Sequence, residues 1–106
     1  LEQKRWDEAA SLGASWARAE VANPGAWLAL GTALSMLSRN REAQAALERT
    51  VELSPDDPRG LYQLGVVLAR SGQGGRAESV QTTLAAVDAD LAGKLQQTII
   101  ECARLC

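Results

Sequence analysis

Apolar positions along this 106-residue chain recur at helical rather than strand spacing. The stretch AWLALGTAL (26–34) places Trp27, Leu30 and Leu34 on one face. LYQLGVVLA (61–69) does the same with Leu61, Leu64 and Leu68. Such i, i+3, i+7 stripes mark amphipathic helices. Their limits follow from start and stop signals, since proline is tolerated in a helix's first turn and not in its interior. A first helix is expected from Trp6 to Val21, ended by ANPG (22–25). A second runs from Pro24 to Ser38 and turns at SRN (38–40), with Asn40 as the left-handed residue. A third spans Arg41 to Leu53 and is broken by SPDDP (54–58). A fourth covers Asp57 to Arg70, and a fifth Arg76 to Val87 after SGQGG (71–75). The last segment, DADLAGKLQQTIIECARLC (88–106), carries Leu91, Leu95, Ile99 and Cys102 as one apolar stripe of a sixth helix.

Both AWLALGTAL and LYQLGVVLA hold a glycine in mid-helix, at a cost of about 1 kcal/mol relative to alanine. Gly31 and Gly65 are 34 residues apart. At that offset Pro24 falls on Pro58, Leu30 on Leu64, Leu34 on Leu68 and Ala43 on Ala77. Stepping back by 34 puts Glu8 on Glu42 and Ala9 on Ala43. A 34-residue period with two helices per unit denotes stacked helical hairpins. The repeated glycine then has a packing reason. If Gly31 faces Ala43, and Gly65 faces Ala77, the two arms of each hairpin approach closely while leucines interdigitate around them.

Trp27, Leu30-Gly31, Leu34, Ala43, Leu47 and Pro55 resemble the tetratricopeptide repeat, with leucines at its two later aromatic positions. The second unit keeps Leu61, Leu64-Gly65, Leu68 and Ala77. It then departs, with Gln81 where a large apolar residue is expected and Ala89 where proline is. The resemblance implies an all-α fold in which antiparallel hairpins stack as a short right-handed superhelical solenoid with a C-terminal capping helix. On this reading residues 1–22 are helix B of an incomplete repeat and 23–56 a full repeat. Residues 57–89 are a degenerate repeat and 90–106 the cap, which a terminal repeat needs to cover its apolar face. The unpaired first helix suggests a chain cut inside a repeat. It leaves Trp6, Leu12 and Trp16 partly uncovered, which invites association.

Composition narrows the chemistry. Acidic and basic residues, 13 and 11, are mixed along the chain for a net charge of −2, so no basic stripe favours nucleic acid. No apolar run approaches the roughly 20 residues that span a bilayer. Histidine is absent, which removes the commonest general base and metal ligand. Asp56 and Asp57, like Asp88 and Asp90, read as helix caps and first-turn charges rather than as acid–base pairs. The glycines of SGQGGR follow a helix and lack a phosphate-loop lysine. Cys102 and Cys106 share a helical face without further ligands, at the end of the helix that does not lower a thiol pKa. Two cysteines are too few for a disulfide framework, and a reducing, cytoplasmic setting is the default. Abundant alanine and arginine beside two lysines, Lys4 and Lys94, point to a high-GC bacterial genome.

No catalytic, metal or cofactor site is therefore expected, and a binding surface is. In tetratricopeptide arrays the first helices of successive units line a concave groove. The resemblance assigns to it Leu28, Thr32, Ser35 and Met36 in one unit, and Arg59, Tyr62, Gln63, Val66 and Arg70 in the next. Chaperone-binding members clamp a C-terminal carboxylate there with lysines, asparagine and arginine. In this chain Leu28, Ala29 and Thr32 stand where the clamp needs lysine or asparagine, and Arg59 alone matches in part. The groove thus suits a peptide or helical segment of a protein partner, amphipathic or apolar-acidic in character, laid against it. Arg59 and Arg70 would meet carboxylates, and Tyr62 would serve as an aromatic anchor. Two alternatives are a homo-oligomer stacked through the N-terminal helix and an accessory segment of a larger enzyme.

Overall fold

The computed structural model describes residues 2–105 as six helices: α1 (Glu2–Ala19), α2 (Pro24–Met36), α3 (Asn40–Leu53), α4 (Pro58–Arg70), α5 (Gly74–Val87) and α6 (Ala89–Leu105). Local chemistry explains where they begin. Pro24 and Pro58 occupy first-turn positions in which their missing N–H costs nothing. Just before them, Asn23 and Asp57 cap α2 and α4, each accepting a hydrogen bond at 2.9 Å from the backbone N–H two residues on. Asp88 caps α6 in the same way, accepting from the Leu91 N–H at 3.1 Å.

The turns inside the two hairpins are equally repetitive. The expected left-handed residue, Asn40, instead opens α3, and the positive φ belongs to Ser38 (60°), matched in the second hairpin by Gly72 (77°). The Arg39 N–H donates to the Leu34 carbonyl at 2.9 Å and the Ser38 N–H to that of Ser35 at 3.0 Å. The Gln73 and Gly72 N–H groups repeat this with Leu68 and Ala69 at 2.8 and 3.2 Å. Both helices therefore end in a Schellman motif, which satisfies their last carbonyls and reverses the chain. Asn40 fails as the left-handed residue because this motif demands it immediately after the helix.

Each helix packs on the one that follows it, and in addition α2 packs on α4 and α4 on α6. The helices alternate between two layers, α2–α4–α6 and α1–α3–α5, in a slab whose shortest dimension is 19 Å. Among the described residues the helices of the second layer do not touch one another through their backbones. The stack therefore closes on the α2–α4–α6 side and splays on the other. Its core is alanine and leucine. Ala43, Leu47, Ala77, Leu84 and Leu95 are fully buried, with Leu34, Leu61, Leu64 and Leu68 beside them.

The two glycines lie inside the structure, but their partners differ from expectation. A Cβ on Gly31 would fall 2.6 Å from Leu47 Cγ, so the nearest atoms across the hairpin belong to Leu47 rather than to Ala43. A Cβ on Gly65 would fall on Leu95 of α6 rather than on Ala77. The second substitution has a physical cause. At the repeat offset Leu47 corresponds to Gln81, a polar residue that cannot fill the space beside Gly65. Leu95, fully buried, fills it from the next helix. The sixth helix thus fills the space beside Gly65, burying Ala92, Leu95 and Ile99 against α4 and α5. Cys102 packs half-buried at the edge of this cluster, and Cys106 lies outside the described residues.

Candidate functional site

Residues Leu28, Thr32 and Met36 recur every four positions, forming a stripe along α2. Arg59, Tyr62, Gln63, Val66 and Arg70 form a second along α4. Because α2 and α4 pack side by side, the two stripes share the inner layer. One polar contact ties them: the Arg70 guanidinium donates to Ser35 Oγ at 3.5 Å. Ser35 is itself buried, at 3% exposure, so this hydroxyl anchors a side chain whose charge otherwise faces water.

The individual positions are unequal. Leu28 and Tyr62 are half-buried against the core, which fixes them as rigid apolar surface rather than free side chains. Thr32 and Gln63 are half-exposed, and Met36 projects at 53% exposure. Val66 is 7% exposed and belongs to the core cluster, so it supports the face from beneath. Arg59 lies at the start of α4, eleven residues and about 16 Å of helix rise from Arg70. It turns back to Asp57, with Nη2 to Oδ2 at 3.0 Å and Nε to Oδ1 at 3.3 Å. The structure therefore joins Arg70 to α2 and does not bring Arg59 to it.

That pairing sets the local electrostatics. The Arg59 guanidinium holds the Asp57 carboxyl below the usual carboxylate range, against an opposing push from burial. The same contact raises Arg59 above its ordinary value. Arg59 is thereby neutralised at home, whereas Arg70 has no ion-pair partner among the described residues. No group of three or more histidine, cysteine, aspartate or glutamate side chains is placed to hold a metal among those residues. Nor is any helix long and apolar enough to cross a membrane. The double role of Asp57, as helix cap and as counter-ion, was missed in the sequence. Its adjacency to a proline-led helix signalled only the cap.

Alternating hairpins with an inner face built from every second helix define a helical-repeat protein. Residues 24–67 match the tetratricopeptide repeat family. A comparison with curated proteins returns no match. Among solved structures, the chain is similar to the TPR2B domain of yeast Sti1, determined as a complex with pHsp70. The two share 14% identity at a TM-score of 0.85, over 99% of this chain and 88% of that one. The whole chain therefore has the fold of a tetratricopeptide domain.

Proposed function

We propose that this chain is a non-enzymatic adaptor that binds a segment of a protein partner across the inner face of α2 and α4. The observation that carries this reading is the Ser35–Arg70 contact. It joins two helical stripes into one surface and leaves an uncompensated guanidinium beside apolar Leu28, Tyr62 and Met36. An apolar segment carrying a carboxylate complements that surface, because a charge-assisted contact to arginine is stronger than a neutral one. The fold is shared with a domain solved in complex with pHsp70, which supports peptide binding as the general mode. The surface itself differs from a dicarboxylate clamp, since Leu28, Ala29 and Thr32 are not cationic.

The test uses a short leucine–glutamate peptide and its leucine–lysine counterpart, titrated against the purified chain by isothermal calorimetry. Only the glutamate peptide is expected to bind, and Arg70→Glu should weaken it about tenfold or more, equivalent to about 1.4 kcal/mol. Helicity should be unchanged, because Arg70 is exposed. Equal binding of both peptides, or indifference to Arg70→Glu, would move the site elsewhere.

A further inference from the structure

Two helices of the stack each lack a neighbour that the others have. Outer-layer α3 and α5 follow inner-layer α2 and α4 in hairpins. Among the described residues, α1 has no inner helix before it and α6 no outer helix after it. The exposed side of α1 is a core side elsewhere in the chain. Leu12 and Trp16 are 72% and 41% exposed. One repeat on, their positions are held by Ala46 and Thr50, both buried, and two repeats on by Val80 and Leu84, which pack into the core. So α1 presents the surface with which an outer helix grips an inner one. The complementary seat lies at the far end of the stack. A groove of about 490 Å³ between α5 and α6 is walled by Glu78, Thr82 and Ala85 on one side and by Gln96 and Ile100 on the other. Ile100 is 46% exposed in it.

The interior of the chain shows how successive outer helices are joined. Across the gap between α3 and α5 the Gln73 side-chain amide donates to Gln44 Oε1 at 2.8 Å, and Arg76 Nη2 reaches Glu48 Oε2 at 2.7 Å. At the repeat offset Gln44 and Glu48 correspond to Glu78 and Thr82 of α5, while Gln73 and Arg76 correspond, two repeats back, to Arg5 and Glu8 of α1. An α1 seated beyond α5 therefore sets Arg5 opposite Glu78, and Glu8 opposite a hydroxyl rather than a carboxylate. Glu78 is the one charged side chain among the described residues lining the groove. Neither it nor Arg5 has an ion-pair partner among the described residues. The joint between α1 and α3 offers no such pair. Its positions are held by Ala10 and Ala14, too short to reach across, and by Arg39 and Glu42, which pair with each other at 2.7 Å. An outer groove of about 690 Å³ is left there.

We infer that α1 of one copy of this chain docks on α5 and α6 of another, so that copies associate head to tail. Leu12 and Trp16 of the first copy cover Ile100 of the second, as Val80 and Leu84 are covered within the chain. Arg5 of the first pairs with Glu78 of the second, which fixes the register. The seam completes a hairpin from an inner helix and an outer helix that belong to different copies. Such a contact is heterologous, so every added copy carries one open end of each kind.

The experiment is sedimentation of the purified 106-residue chain from micromolar to millimolar concentration. The average mass is expected to rise with concentration and to pass beyond a dimer. Leu12→Lys closes the α1 end and Ile100→Lys the α6 end. Both positions are exposed, so helical content should be retained. Each variant alone should sediment as a monomer, and an equal mixture should form a dimer that grows no further, because one open end of each kind remains to be joined. Arg5→Glu should weaken association about tenfold, and adding Glu78→Arg in the same chain should restore it. Arg70→Glu on the inner layer should change nothing here, which separates this contact from the peptide face. The inference is overturned if the parent chain stays monomeric throughout, leaving the exposed side of α1 to a helix of a different protein. It is equally overturned if the Ile100→Lys variant still pairs with itself, since α1 would then meet α1. Failure of the mixed variants to join, or of the charge exchange to restore association, overturns it as well.

Discussion

Replacing Gly31 with alanine puts two measurable effects in opposition. The first is intrinsic: alanine stabilises a helix interior by about 1 kcal/mol over glycine. The second is steric. The added Cβ would stand 2.6 Å from Leu47 Cγ and 2.7 Å from its Cδ2, where carbon contacts are comfortable near 3.5–4.0 Å. Leu47 would have to withdraw by about 1 Å, and it is fully buried among neighbouring side chains. Overpacking of this kind costs about 1–3 kcal/mol, so the net effect is a loss of up to about 2 kcal/mol. Gly93 supplies the internal reference. It also lies within a helix, but a Cβ there meets nothing within 4 Å, so Gly93→Ala should gain about 1 kcal/mol. Urea melts of the two variants should therefore move their midpoints in opposite directions at constant slope. A double-mutant cycle with Leu47→Ala sharpens the test. That substitution alone costs about 2–5 kcal/mol, but it vacates the space the new methyl needs. On its background Gly31→Ala should turn stabilising, a coupling of about 1–3 kcal/mol. If Gly31→Ala stabilises the parent chain as Gly93→Ala does, or acts identically with and without Leu47, the close-approach account is wrong.

Two further expectations concern the turns and the caps. Ser38→Gly should raise the melting temperature, because a left-handed serine costs about 1–2 kcal/mol and its counterpart Gly72 sits in the same motif; a fall in calorimetric Tm would contradict this. Asp57→Ala should lose about 1 kcal/mol of capping, whereas Asp57→Asn keeps an acceptor for the Arg59 N–H and loses the ion pair. Since the folded carboxyl lies below its unfolded value of 3.8, its contribution is present above that pH and vanishes as pH falls through the folded value. The stability gap between the parent and Asp57→Asn should accordingly be open at pH 7 and shrink as the pH falls below 3.8, as measured by denaturant melts; a gap independent of pH would refute the pairing.

Much of this architecture was legible in the chain because it follows from local rules. Proline after asparagine or aspartate started α2 and α4, and the apolar stripe fixed which face of each helix turned inward. The 34-residue recurrence ordered the hairpins. What periodicity could not supply was the identity of contacts between helices distant in sequence. Gly65 repeats Gly31, yet it is met by Leu95 of α6 because Gln81 cannot occupy the space that Leu47 fills. Val66 repeats Thr32 in register, but it lies at 7% exposure in the core, since burial depends on what the neighbouring layer covers. Arg59 and Arg70 look alike on one stripe. Only the folded chain decides that one is bound to Asp57 and the other reaches Ser35. The outer groove is the same kind of fact. Ala10 and Ala14 are ordinary helix formers in sequence, and their consequence appears only when α1 and α3 stand apart with nothing between them long enough to close the gap. Local propensity and period determine elements and their order, because those act over a few residues. Partner choice, burial and cavities depend on how side chains of different lengths meet across the layers, which tertiary structure alone decides.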